Sequence, residues 1–429
     1  MARDVLIVSP NFPPKSTADL HRVRMSLPHY RSYGWNPTVL CIAPECCEGI
    51  DDPLLAKSLP DDADIVRVAA WDISLCRKFG FGMLEYRGLL PLHRAGSRLL
   101  ATGDYELVFF STTAFATLTL GPLWRRKFGC KIVYDIQDPW YLGSDSPYDR
   151  SNVPGSWWKY KLAQAIARRA EAFAMRGADR LITVSQTYAE QLIGRYRFLD
   201  RDAFDVIPFG AAERDRDLAW DLFPRPSRDG QQRRWVSVGA MGPEMIAVVA
   251  AFFGVLAEYR KRHPAMASSL RIDFIGTSYA PAARTTASIQ SLADKFGLSD
   301  MVREAPQRIP YFAALGEYRD SDAILLFGTG TKAYMPSRLF NCIMAEKPIL
   351  AMFHRDSAVT RVAPDFSNIF LAAFSSPRDA AFLEAVSQGL DWLEMAKVDA
   401  GQVRQALRPW SAEELSRRQC QVFDRACAA

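Results

Sequence analysis

Short apolar runs recur along the whole chain, each bounded by turn residues and followed by a longer stretch of helical periodicity. That alternation limits the available folds more than any other feature. In the first half the runs are RDVLIV, NPTVLCIAP, DIVRVAA, ELVFF, KIVYD, LITVS and FDVIPFG, and in the second WVSVG, RIDFIG, MVREA, AILLFG and ILAMF. Strands separated by helices pair in parallel, because the helix carries the chain back to the starting edge of the sheet. The expectation is an α/β protein. With 429 residues the chain exceeds one ordinary core and fits two domains of roughly 200 residues each.

Composition excludes several classes. Apolar residues make up 49% and charged residues 24%, as in a globular protein. The net charge of +5 comes without a dense basic stripe, so no nucleic-acid partner is expected; an anionic substrate or an anionic membrane surface is compatible with it. Eight cysteines show no C-x-x-C pairing, and VLIV is too short for a secretory signal. Reduced thiols and a cytoplasmic location follow as expectations. Leu107–Trp124 carries no charge, but Ser, Thr and Gly121-Pro122 divide it into strand, turn and helix, so no membrane span is predicted.

Four stretches bear on chemistry. In YMPSRLFNCIMAEKPILAMF (334–353), Pro336 predicts the first turn of a helix, and Leu339, Phe340, Ile343 and Met344 follow at helical spacing. A helix opening with Ser337 and Arg338 offers free N–H groups and a cation to an anion; an ordinary αβ unit with a solvated Arg has the same pattern. In SPNFPPKSTADLHRVR the first strand runs into a helix, with Thr17 or Asp19 as candidate caps. In KIVYDIQDPWYLG a strand ends in Gln137-Asp138-Pro139-Trp140, on the carboxyl side of the sheet where ligands collect. The helix after residue 156 repeats Trp158, Leu162, Ile166, Ala170 and Phe173 on one face; packing on its own sheet explains that face, and Trp beside Lys also suits a membrane interface. LCRKFGFGMLEYRGLLPLHRAGSRLL predicts a helical hairpin. Asp320-Ser321-Asp322 directly precedes a buried strand and is expected to be a turn, with no bound metal.

The Pro336-Ser337-Arg338 run closed by Pro348 resembles the donor helix of family 4-like glycosyltransferases with two Rossmann-like domains, the GT-B architecture. The resemblance extends over most of the chain. It implies a nucleotide-sugar as co-substrate, no cofactor, transfer with retention and no bound metal. It also implies a lipid-linked or glycan hydroxyl acceptor in cell-surface polysaccharide synthesis; the Trp157–Arg169 and Arg77–Arg98 stretches add the expectation of peripheral binding at the inner face of the plasma membrane. Donor-binding residues carried over are Tyr334, Ser337, Arg338 and Asn341, with Gly239, and with Thr277, Arg308 and Ile309 in loops that read the nucleotide base. The first loop (Pro14, Ser16, Thr17, Arg22) and Gln137 with Trp140 are expected at the interdomain cleft. Asp138 is the candidate catalytic carboxylate, orienting the acceptor hydroxyl or taking its proton.

Departures from the family pattern are specific. Asn341 stands where a second donor-binding Glu is usual, and Ala333 where the first is. Ala240 and Glu244 occupy the turn where relatives carry Arg and Lys, and the first loop lacks its glycines. The domain expectation is 1–207 for the acceptor side, 208–408 for the donor side, and a terminal helix over 409–429 packing back on the first domain. A glycosyltransferase-like binding or scaffold protein without turnover is the rival; a nucleotide-sugar 2-epimerase lacks the His and Glu set that it would need.

Overall fold

The computed structural model describes residues 2–143, 156–225, 232–278, 288–330 and 335–428. Two compact units are present: Met1–Phe209 with Ala412–Ala429, and Gly210–Ser411.

In the first unit the strands are β1 (Arg3–Val8), β2 (Lys15–Ser16), β3 (Trp35–Ile42), β4 (Ile50–Asp51), β5 (Asp64–Val68), β6 (Tyr105–Ser111), β7 (Lys131–Ile136), β8 (Arg180–Thr183) and β9 (Phe204–Val206). The small β2 and β4 pair antiparallel as a separate ribbon. The other seven form one parallel sheet in the order β5-β3-β1-β6-β7-β8-β9. Leaving out the ribbon, this is the doubly wound order 3-2-1-4-5-6 extended by one strand, with its switch point between β1 and β6. Val5 to Val8 and Leu107 to Phe110 are fully buried, as a strand covered on both faces must be.

The helices of this unit are α1 (His21–Tyr30), α2 (Ile73–Lys78), α3 (Leu84–Arg87), α4 (Leu89–Thr102), α5 (Leu120–Phe128), α6 (Trp157–Arg176) and α7 (Gln186–Arg195). Gly34, at φ 81°, ends the helical segment after α1 and turns the chain into β3. Residues 107–124 divide as expected into β6, a 3₁₀ turn over Phe115–Thr119 and the start of α5, and no described helix is long and apolar enough to cross a membrane.

Two sequence expectations are corrected here. The helical hairpin is three short pieces, α2, α3 and α4, pinned by a buried Arg87 that donates to the carbonyls of Gly82, Trp71 and Cys46 at 2.9 Å each. In α6 the Trp158, Leu162, Ile166 and Phe173 face points to solvent, while Ala167, Glu171, Ala174 and Met175 are buried, the helix packing on α5 and the 3₁₀ turn Phe115–Thr119. Small side chains let the helix lie close, and Glu171 is accommodated by Arg195 Nη1 and the Tyr196 hydroxyl, both at 2.7 Å.

The second unit contains α8 (Glu213–Leu222), β10 (Arg233–Val238), α9 (Pro243–Arg262), α10 (Pro264–Ser269), β11 (Leu270–Ile275), α11 (Ser288–Lys295), β12 (Val302–Ala305), α12 (Tyr311–Arg319), β13 (Ala323–Phe327), α13 (Leu339–Met344), β14 (Ile349–His354), α14 (Val359–Val362), β15 (Ile369–Phe374), α15 (Ala380–Met395) and α16 (Ala400–Leu407). Its six strands run parallel in the order β12-β11-β10-β13-β14-β15, which again is 3-2-1-4-5-6. Asp320 ends α12, and Asp322 accepts the Arg234 N–H at 2.7 Å, so Asp320-Ser321-Asp322 is the expected turn.

The last helix, α17 (Ala412–Ala428), belongs to the first unit. Phe423 meets Phe109 at 5.0 Å, Trp35 at 5.4 Å and Tyr30 at 5.8 Å between ring centroids, and Gln419 bonds Tyr30 and Ser26. Deleting that ring leaves a cavity among three aromatics. Phe423→Ala should cost about 3–5 kcal/mol in urea unfolding; a loss below 1 kcal/mol would mean that α17 contributes little to this unit's core.

Candidate functional site

In the first unit, candidate residues collect where β1, β6 and β7 end. Asp135 is fully buried in β7, and its Oδ2 accepts from Arg22 Nε at 2.7 Å, Ser111 Oγ at 2.8 Å and Gln137 Nε2 at 2.8 Å. Arg22 also donates to the carbonyls of Ile207 (2.6 Å) and Pro208 (3.2 Å), and its guanidinium lies over the Phe209 ring. Arg22 and Gln137, expected at the cleft, are therefore buried struts. A buried guanidinium needs a carboxylate and carbonyls to replace its hydration, and here it has both.

The first loop is fixed from several sides. Asp19 is buried; its carboxylate accepts from Thr17 Oγ1 (2.6 Å), Asn11 Nδ2 (3.3 Å), Thr112 Oγ1 (3.1 Å) and the Thr113 N–H (3.2 Å). Neither Thr17 nor Asp19 caps α1, whose N-cap position is Leu20 without a side-chain bond. Glycine is unnecessary because the polar groups bond within the loop and to the end of β6. Pro14, Ser16 and Thr17 remain partly accessible, and the Pro13–Pro14 peptide is cis.

Asp138 follows directly. Its carboxyl is pushed up to about 6, first by desolvation and then by the charge of Asp19. The residue is nonetheless exposed to solvent, which screens the neighbouring Asp19 charge. Burial, and secondarily the charge of Asp138, raises the Tyr188 hydroxyl. Trp140 stacks on Phe115 at 5.8 Å and 13°. Asp135 and Tyr188 are parts of this arrangement that sequence reasoning missed, and Asp19 was expected only as a helix cap; the DIQD spacing around 135–138 was the available signal for Asp135.

In the second unit the loops at the carboxyl ends of β10, β11 and β12 are laced together. Gly239 N donates to Ile275 O (2.8 Å), Met241 N to Thr277 O (2.8 Å), Gly276 N to Ala305 O (2.7 Å) and Ser278 N to Pro306 O (3.1 Å). Gly239 has φ 116°, and a Cβ there would overlap Arg338 Nη1. The Arg338 guanidinium thus lies against the turn that opens the 20-residue α9, whose Gly242 N-cap carries no side-chain cap bond. Pro336 does not open a helix: α13 begins at Leu339, after a turn through Ser337 and Arg338, and is six residues long. The helix N-terminus beside the cation is that of α9, with the exposed Glu244 in its first turn.

The remaining donor-side residues are placed as follows. Thr277 is buried and its hydroxyl bonds Glu304. Arg308 is exposed and Ile309 half-buried in the loop after β12, whose backbone passes 3.7 Å from the Cβ position of Gly276. Ser337 is exposed; Asn341 Oδ1 lies 3.4 Å from the Tyr311 hydroxyl, which donates to Asp215 Oδ2 at 3.0 Å. Because the Tyr311 hydroxyl directs its single proton to Asp215, an Asn341 amide turned to donate its NH₂ to Tyr311 satisfies both groups. Tyr334 and Ala333 lie outside the described residues.

Residues 21–210 match the model of the glycosyl transferase 4-like domain. Over 98% of this chain and 99% of theirs, the structure is similar to Anabaena HepE in complex with UDP, at TM-score 0.63 and 13% identity. Sucrose-phosphate synthase from Thermosynechococcus elongatus is similar at TM-score 0.64 and 13% identity, covering 99% of both chains. The catalytic domain of starch synthase IV from Arabidopsis thaliana, bound to ADP and acarbose, is similar at TM-score 0.63 and 12% identity over 100% of both. No curated protein matches by sequence. Residues 21–210 are thus similar to a glycosyl transferase 4-like domain, and the chain has the GT-B fold.

Two outcomes test the first-unit geometry. Arg22→Met leaves Asp135 charged and buried and should destabilise by about 3–5 kcal/mol in urea; a change under 1 kcal/mol would contradict the strut role. Because the Asp138 carboxyl is raised from 3.8 to about 6, the folded state holds its proton more tightly than the unfolded chain does. The stability that this adds is full below pH 3.8 and is lost as pH rises through about 6. Comparing wild type with Asp138→Asn across that window should reveal this slope in the wild type alone; parallel curves would refute the shift.

Proposed function

We propose that the protein transfers a sugar from a nucleotide-sugar to a hydroxyl acceptor, with the donor on the second unit and the acceptor handled by the first. The observation that carries the reading is Arg338 laid against Gly239 at the start of α9. The positive end of a helix dipole together with a guanidinium suits a diphosphate. Arg338 supplies a cation at the turn where the chain itself has Ala240. The same groups would stabilise negative charge on the departing diphosphate, the electrostatic contribution such a transfer needs.

Asp138 is the candidate acceptor-side group. A carboxyl poised near 6 is mostly ionised at neutral pH and a stronger base than an ordinary Asp, so it can orient an acceptor hydroxyl or accept its proton. The transfer is proposed to proceed with retention and without a metal or cofactor, toward a lipid-linked or glycan acceptor in cell-surface polysaccharide synthesis. A peripheral position on the inner face of the plasma membrane belongs to the same proposal.

A silent binding protein is the second reading. It is favoured by the engagement of Asn341 with Tyr311, which diverts a polar side chain that the resemblance assigns to the donor sugar.

Calorimetry with UDP, ADP and GDP tests the donor site. Arg338→Ala removes a charge-assisted contact and should weaken the diphosphate that binds by about 1.5–3 kcal/mol. Gly239→Ala, which forces the guanidinium aside, should weaken it in the same direction. Asn341→Ala should affect the intact sugar nucleotide more than the bare diphosphate. Equal affinities for wild type and Arg338→Ala would remove the phosphate site from this turn.

A further inference from the structure

Helix α6 has two apolar faces, and the core of the unit uses one of them. Inward are Ala167, Ala174 and Met175; outward are Trp158, Leu162, Ile166 and Phe173, exposed by 78%, 63%, 53% and 43%. At 100° per residue those four lie within one 80° stripe opposite the buried one. Lys159, Lys161, Arg168, Arg169 and Arg176 are all exposed on the same helix. The only acid in Trp157–Arg176 is Glu171, which is buried and paired inward. The outward surface is therefore apolar and aromatic with exclusively positive charge. A second exposed group lies in the same unit: Phe79 (77%), Phe81 (57%) and Met83 (61%) beside Lys78 and an Arg77 that pairs with the exposed Glu48, between α2 and α3. Helices α3 and α6 both pack on the 3₁₀ turn Phe115–Thr119, which brings these groups to one region of the unit.

We propose that the outward face of α6, extended by the α2–α3 turn, docks on an anionic lipid bilayer, with α6 lying in the headgroup plane. Trp158 and the aliphatic stripe enter the acyl boundary, and the cations sit at the phosphate level, as an interfacial amphipathic helix requires. Charge selects this occupant. A second copy would bring a basic face against a basic face, with Arg169 inside the stripe and no exposed acid of α6 to pair it. Anionic lipid neutralises all five cations of α6 at once. The inference adds a surface and a lipid chemistry to the proposed membrane position, and it stands on this helix whether or not sugar transfer occurs.

Flotation of the full chain tests it, with vesicles of phosphatidylcholine alone and of equimolar phosphatidylcholine and phosphatidylglycerol. The wild type should float with the anionic vesicles at low salt, be largely released at high salt, and stay behind with the neutral ones. The double variant Lys159→Gln, Arg169→Gln should lower the partition coefficient by about thirtyfold. Leu162→Ser with Ile166→Ser should lower it by at least about tenfold. All four side chains are exposed, so thermal unfolding and diphosphate binding should remain as in the wild type. Flotation indifferent to lipid charge, or unchanged in both variants, would overturn the proposal. So would a sedimenting dimer that the Ser variant dissolves while no species floats, because the face would then bind a second copy. Charge-dependent flotation by a chain that binds no nucleoside diphosphate would uphold the membrane face and remove the transfer reading.

Discussion

The buried Arg22–Asp135 pair holds together the part of the first unit from which everything else projects. One guanidinium reaches from α1 to the end of β7 and to the carbonyls of Ile207 and Pro208. The same carboxylate oxygen takes Ser111 and Gln137, and Gln137 in turn bonds the Asp19 carbonyl. A pair so deeply buried adds little net stability compared with an apolar replacement; its effect is to allow one arrangement of loop, strand end and chain exit. Asp138 is three residues beyond Asp135, and its position is set by that arrangement. Asp19, held by five donors, is the charge next in line after desolvation in raising the Asp138 carboxyl.

The second unit achieves a comparable rigidity with backbone. Four main-chain bonds tie the three loops, and position 239 requires glycine both for its φ of 116° and because the Arg338 guanidinium occupies the space a side chain would need. The chain has lost the cation expected at 240, and Arg338 comes to the same turn from a point 98 positions further on. Glu244, exposed in the first turn of α9, opposes an anion there, so the balance of the turn rests on the guanidinium.

The α/β class was legible because a parallel sheet demands short apolar runs and helical crossovers, which leave a local trace. Three features were not. Pairing across 113 residues gives Arg22 no sequence mark that distinguishes a strut from a ligand contact. Pro336 permits a helix start but does not require one, and the turn through Ser337 and Arg338 delays α13 to Leu339. In α6 periodicity correctly grouped Trp158, Leu162, Ile166 and Phe173, yet large apolar side chains were expected inward. A helix with a small-residue face can pack closely on its neighbours through alanines, and that choice is made by tertiary packing.

The central claim is turnover of a nucleotide-sugar, and the most direct measurement is nucleotide release from a panel of UDP-, GDP- and ADP-sugars. It should be run with the full chain, with and without a lipid extract as acceptor source. The account predicts release from one donor class, stimulated by the extract, rising with ionisation of a group near pH 6 and reduced by about a hundredfold or more in Asp138→Asn. Tight binding of a sugar nucleotide with no release from any member of the panel would contradict it and leave a binding protein on a glycosyltransferase fold.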